Sequence, residues 1–277
     1  MAQPPIASPR EAGRGWPEAG GGVESRMNGQ VALVTGASGG IGLDISRQLW
    51  REGYELILVA RSADKLRALA KELGGAKVIA VDLAKPEAPQ KVFDTAGRVD
   101  VLVNNAGYGL AGPFSETDLT RELEMIQLNI VALTHLTKLF LRPMVARNSG
   151  HILNVASTAA FQPGPLMSVY YATKAYVLSF SEAIAEELRD TGVRVTALCP
   201  GPTATGFAAV AGVGESLLFK ASKPMSSHDV ARYGVAAMHR GTRVAIPGMT
   251  NKMLMQSLRV SPRRLVTTFV RKLQENR

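Results

Sequence analysis

Ser157, Tyr170 and Lys174 have the types and the spacing of a set that moves a proton. Tyr170 and Lys174 stand four apart in YYATKAYVLSFSEAIAEELRD, whose apolar residues recur at helical period, so both side chains project from one helix face. An ammonium beside a phenol favours the phenolate and draws its pKa down from about 10, towards the range where it exchanges protons during turnover. Ser157 follows the apolar run His151 to Ala156, which reads as a buried strand. A hydroxyl at a strand's carboxyl end faces the crevice where open α/β sheets bind ligands, and can hydrogen-bond a substrate oxygen. On its own, the Tyr/Lys pair also fits an ordinary surface pair. Tyr171 points about 100° away round the helix and reads as packing or pocket wall.

A glycine turn lies upstream. TGASGGIG, Thr35 to Gly42, follows the short apolar run Val31 to Val34 and leads into a helical pattern from Ile41 to Trp50. Gly36 permits the tight turn, Gly40 lets backbone approach a pyrophosphate, and Gly42 lets the helix pack on the strand with its N-terminus towards the anion. The first gap is one residue longer than in the commonest dinucleotide fingerprint.

With Asn104-Asn-Ala-Gly107, Asn129, and Pro200-Gly201 in order around these segments, the chain resembles the short-chain dehydrogenase/reductase family over roughly residues 28 to 250. The resemblance implies that Tyr170 is the acid/base and that Ser157 steadies the substrate carbonyl. Lys174 would hold the nicotinamide ribose and lower the Tyr170 pKa, and Asn129 would anchor a water in the proton relay. It places a nucleotide along Gly36, Ser38, Gly40, Ile41 and Gly42, with Asp82 at the adenine and Asn105 and Gly107 on the adenosine-ribose side. Tyr170, Lys174, Pro200, Gly201, Thr203 and Thr205 complete that site at the carboxamide end. Asp82 also suits a strand-end cap, and the two threonines a stabilised turn. Homodimers or homotetramers built on the helices after the fourth and fifth strands are implied as well.

Cofactor choice turns on the end of the second strand, Glu55 to Arg61. An acid there would accept bonds from a ribose 2′-hydroxyl and repel a 2′-phosphate; Ala60 is neutral, and Arg61 can pair with the phosphate through its planar fork. NADP(H) is therefore expected, although Arg61 also fits a solvated turn. The reaction implied is hydride transfer between the nicotinamide and a carbonyl or alcohol carbon, with a cofactor-binding sensor on the same fold as the alternative. No metal is needed: His135, His151, His228 and His239 are scattered along the chain, and Cys199, alone, reads as a buried apolar residue.

The 277 residues, 46% of them hydrophobic, suit one large α/β domain in a reducing cytoplasm. Strand patterns near residues 31, 56, 78, 101, 152, 194 and 243 alternate with helices, predicting a doubly wound, Rossmann-type, seven-stranded parallel sheet with helices on both faces. Pro143 predicts a kink or early stop in a helix from about Asp118 to Asn148. Residues 1–26, rich in Pro and Gly, read as a disordered tail with no signal-peptide core, and the functional chain is expected to begin at Met27.

Residues 27–249 form the expected catalytic domain, and 206–225 its mostly apolar substrate loop. With Tyr108, Phe161 and Met167 near the crevice, that loop points to a lipophilic ketone or aldehyde, unless it packs on another subunit. From 250 to 277 seven basic residues face only Glu275, carrying +6 of the formal +9. After Pro262, the residues Leu265, Val266, Phe269, Val270 and Leu273 share one helical arc, which predicts a helix packed on protein rather than laid on an anionic membrane. No motif for reading nucleic acid is present.

Overall fold

The computed structural model describes residues 29–213, 224–258 and 260–275. The expected tail 1–26, the start at Met27 and half of the substrate loop, 214–223, fall outside them. Seven parallel strands form one sheet: β1 Val31–Thr35, β2 Glu55–Ala60, β3 Lys77–Ala80, β4 Val101–Asn104, β5 Gly150–Val155, β6 Val193–Leu198 and β9 Val244–Ala245. Their order is β3-β2-β1-β4-β5-β6-β9, so the chain winds outward both ways from β1 and β4 and leaves a crevice at the carboxyl ends between them. A small parallel pair, β7 Thr203–Ala204 and β8 Met225–Ser226, lies outside the pattern expected.

Successive strand residues point to opposite faces, and the core divides accordingly. Ala32, Val34, Val101, Val103 and Leu153 pack beneath α1 Gly40–Arg51, α2 Ala63–Glu72 and α8 Ser227–His239. Leu33, Leu102 and Ile152 pack on the other side beneath α3 Ala88–Ala96, α5 Leu133–Ala146 and the end of α6 Ser168–Glu187.

The predicted helix after Asp118 is three pieces. Asp118 caps α4 Leu119–Ile126 by accepting from the Arg121 amide at 2.8 Å, a π-helical turn spans Gln127–Ala132, and α5 follows. Pro143 does not stop α5, which runs past it to Ala146. Proline near a helix end interrupts few bonds.

Two histidines expected to be scattered meet at the opposite edge of the sheet. His239 lies 2.8 Å from Glu52 and its ring is 5.7 Å from that of His151, with Tyr54 stacked on it.

Beyond the sheet, α9 Met249–Ser257 and α10 Arg263–Gln274 fold back over the carboxyl-end edge. The apolar arc expected for α10 splits. Val266 and Val270 turn inward, whereas Leu265 and Phe269 are exposed.

Candidate active site

The glycine turn is tied to the neighbouring strand end by one hydroxyl. Thr35 Oγ1 donates to the Val103 carbonyl at 3.2 Å and accepts from the amides of Asn105 and Ala106 at 2.9 and 3.0 Å. The Asn105 side chain then donates to the carbonyls of Thr35 and Gly36 at 2.9 and 3.3 Å, so it is engaged with the turn itself. Gly36 and Gly40 have φ of +66° and +55°, the left-handed region that favours glycine. Helix α1 starts here with no capping side chain and no acid in its first turn. Its N–H groups and the positive end of its dipole thus remain free for an anion, and the cradle fits a pyrophosphate. Ser38 and Ile41 are half-buried beside it, and the Thr205 methyl stands 3.2 Å from where a Gly40 β-carbon would lie.

The proton set sits beyond the ends of β4 and β5. Ser157 caps a short 3₁₀ turn, accepting from the Ala159 amide at 3.0 Å, while its hydroxyl donates to the Pro200 carbonyl at 3.4 Å. From α6, the Lys174 ammonium donates to the Val155 carbonyl at 2.8 Å and lies 5.9 Å from the centre of the Tyr170 ring. Both α6 side chains are buried. Burial lowers the Lys174 pKa to about 8. Burial also drives the Tyr170 pKa above its ordinary value, with the Ser157 hydroxyl pulling the other way. The net shift is thus upward, because desolvation of the phenolate dominates, while the Lys174 ammonium is held at the ring by its bond to Val155.

Asn129 lies in the π turn, where its carboxamide accepts from the Tyr108 amide at 3.2 Å and donates to the Tyr108 carbonyl and Thr173 hydroxyl at 3.0 Å each. π turns recur at functional sites because the extra residue re-aims the helix. Gly107 is pressed against this group: a β-carbon there would stand 2.8 Å from Asn129 Oδ1 and 3.6 Å from Lys174 Nζ.

The remaining residues fall round the same crevice. Arg61 is exposed at the end of β2 and, among the described residues, has no carboxylate partner. Asp82 caps its own loop, accepting from the Ala84 amide at 3.1 Å. Thr203 donates to the Gly201 carbonyl at 2.9 Å, and Thr205 accepts from the Phe207 amide at 3.2 Å, so both hydroxyls stabilise turns. Pro200 receives the Thr158 amide at 2.9 Å, and Gly201 lies under Asn251 of α9.

Residues 30–215 match the family profile described as short chain dehydrogenase. This chain belongs to the short-chain dehydrogenase/reductase family. It is 31% identical over 231 residues to an uncharacterized oxidoreductase of Staphylococcus epidermidis, covering 82% of this chain and 98% of that one. It is 35% identical over 183 residues to a ketoacyl reductase of Nostoc, covering 63% of this chain and 64% of that one. A short-chain dehydrogenase from Sphingobium yanoikuyae in complex with NADPH superposes with a TM-score of 0.74 at 30% identity, covering 85% of this chain and 97% of that one.

The sequence pattern pointed to Met167 and to the loop from Gly206 in this family member, but not to the residues beneath them or to Gln274. Phe207, opening α7 Phe207–Ala211, packs on Tyr170 with ring centres 5.3 Å apart, and Met167 joins it over Gly109. Beneath the site, Asn104 donates to Asn154 at 2.9 Å, and Asn154 to Ser181 at 2.9 Å, a buried polar chain joining β4, β5 and α6. Gln274 donates to the Tyr171 hydroxyl at 2.7 Å. A cavity of about 550 Å³ lined by Phe161, Gln162, Tyr171 and Arg263 opens on the Tyr171 side of α6, and Tyr170 does not line it. Cys199 is buried and its thiol is pushed up to about 12, which disqualifies it as a nucleophile.

Proposed function

We propose that this oxidoreductase uses NADP(H) to interconvert a carbonyl and an alcohol on a lipophilic substrate. The observation that carries the reading is the convergence of Ser157, Tyr170 and Lys174 beside the glycine turn, at the sheet's carboxyl edge. NADP(H) supplies or accepts a hydride when bound. Gly36, Gly40 and the start of α1 would hold its pyrophosphate, and Arg61 its 2′-phosphate. The NADPH bound by the Sphingobium neighbour agrees with this.

Within the chain, the Tyr170 hydroxyl keeps its proton because burial disfavours the phenolate, so it is poised as an acid towards a carbonyl oxygen. Ser157, held in place by the Ala159 amide, can offer the same oxygen a hydrogen bond. Lys174 is fixed by Val155 with its charge beneath the phenol ring, where it offsets negative charge that develops as the proton leaves.

The walls support a lipophilic substrate class. Tyr108, Leu110, Met167, Phe207 and Ala211 form one apolar cluster with Tyr170, walls suited to an apolar substrate. The ketoacyl reductase among the relatives is consistent with an acyl-bearing ketone. The test is NADPH oxidation across a carbonyl panel, with Tyr170→Phe as control. Turnover of apolar ketones lost in the variant supports the reading; a preference for polar sugars overturns the substrate class, and full activity in the variant overturns the mechanism.

A further inference from the structure

The two C-terminal helices have an inner and an outer face of unlike character. Inward, Met255 of α9 and Val266, Val270 and Gln274 of α10 are covered by the body of the protein. Outward, Met249, Met253, Val260, Leu265 and Phe269 are exposed, Val260 at 87% and Phe269 at 58%. Isolated exposed apolar side chains are ordinary, but four on two successive helices and Val260 in the turn between them, all within 21 residues of sequence, form a concentrated surface.

Charge accompanies them. Lys252, Arg263, Arg264 and Lys272 are exposed, and among the described residues none has a carboxylate partner; Arg271 pairs with Glu275 at 3.1 Å. On the α10 wheel, Leu265 and Phe269 lie next to Lys272, with Arg264 further round the same exposed arc. Apolar side chains bordered by long cationic ones are what an interfacial helix presents, the first entering the acyl boundary and the second reaching the headgroups.

We propose that the outer face of α9 and α10 docks on an anionic lipid surface. A second copy of the chain would bring two like-charged faces together, which disfavours self-association there. A partner recognised by phosphate charge alone leaves Met249, Met253, Leu265 and Phe269 without a role. An anionic bilayer satisfies both halves, and no described helix is long and apolar enough to cross it, so the contact is peripheral. The surface is the outer side of two helices, of which α10 packs its inner side in the cluster that holds Tyr170, and vesicle binding is read out separately from turnover.

The experiment is co-sedimentation of the full chain with vesicles of phosphatidylcholine alone and of phosphatidylcholine with about one third phosphatidylglycerol. Binding to the anionic vesicles at least about tenfold stronger than to the neutral ones, and weakened by salt, is expected. Leu265→Ser with Phe269→Ser, and separately Arg264→Glu with Lys272→Glu, should each reduce it by on the order of tenfold or more, with thermal melts reporting that the fold survives. Equal binding to both vesicles, no binding, or an oligomer that dissociates in the Leu265/Phe269 variant overturns the proposal.

Discussion

Gln274, in the last helix, donates its side-chain amide to the Tyr171 hydroxyl, 103 residues away in sequence, at 2.7 Å, pinning that helix beside Tyr170. Both side chains are buried, and the Gln274 carbonyl oxygen has no partner among the described residues. A buried donor left unpaired costs about 1–3 kcal/mol. Tyr171→Phe should therefore destabilise the chain by that order, and Gln274→Ala should raise amide exchange across residues 263–274. Unchanged exchange there in Gln274→Ala would show that α10 is held by Val266 and Val270 alone.

Arg61→Glu should cut NADPH affinity on the order of 10- to 100-fold while leaving or improving NADH. Nucleotide titrations of both coenzymes check this, because Arg61 is exposed and pairs with no carboxylate among the described residues, so its replacement leaves the core intact. Parallel loss of both coenzymes would place the selectivity elsewhere.

At Gly42, buried in the first turn of α1, an added β-carbon would stand 2.5 Å from the Gly36 oxygen and closer still to the Asn105 amide. Neither neighbour can retreat, since Asn105 is bonded to the carbonyls of Thr35 and Gly36. Gly42→Ala should cost a few kcal/mol, about the 1–3 expected for overpacking, and weaken nucleotide binding. Adding Asn105→Ala should not rescue it, because the Gly36 oxygen remains in the way; a full rescue would mean that the amide is the only obstacle.

How far the sequence could be read divides along physical lines. The seven strands and the glycine turn were legible because β1, β4 and β5 are short apolar runs with hydrophobic side chains on both faces, and because glycines mark positive φ at Gly36 and Gly40. The π turn at Asn129 was not, since six residues of altered pitch leave no periodic trace. On α10, one apolar arc held two stripes, and only tertiary packing decides that Val266 and Val270 face inward while Leu265 and Phe269 do not. A glutamine at i+4 from Val270 on the inward stripe was the available sign of Gln274. The direction of the Tyr170 shift escaped for the same reason: spacing reports that Lys174 is near, whereas burial sets which effect wins.

Lys174 gives the sharpest test of that balance. Its pKa in the fold is about 8, below the ordinary lysine value, because the charged form is desolvated. The unfolded chain therefore binds more protons between that value and about 10.4, and the stability contributed by this group rises with pH across the window and is lost as pH falls through it. At neutral pH the fold carries the cost of a buried charge relieved only in part by the Val155 carbonyl. Lys174→Met should raise stability at pH 7 on the order of 1–3 kcal/mol while abolishing turnover, and the gain should shrink towards pH 10. Denaturant melts at the two pH values measure it. A variant less stable than the parent at pH 7 would mean that the bond to Val155 outweighs desolvation, and that the site is held together by this amine rather than strained by it.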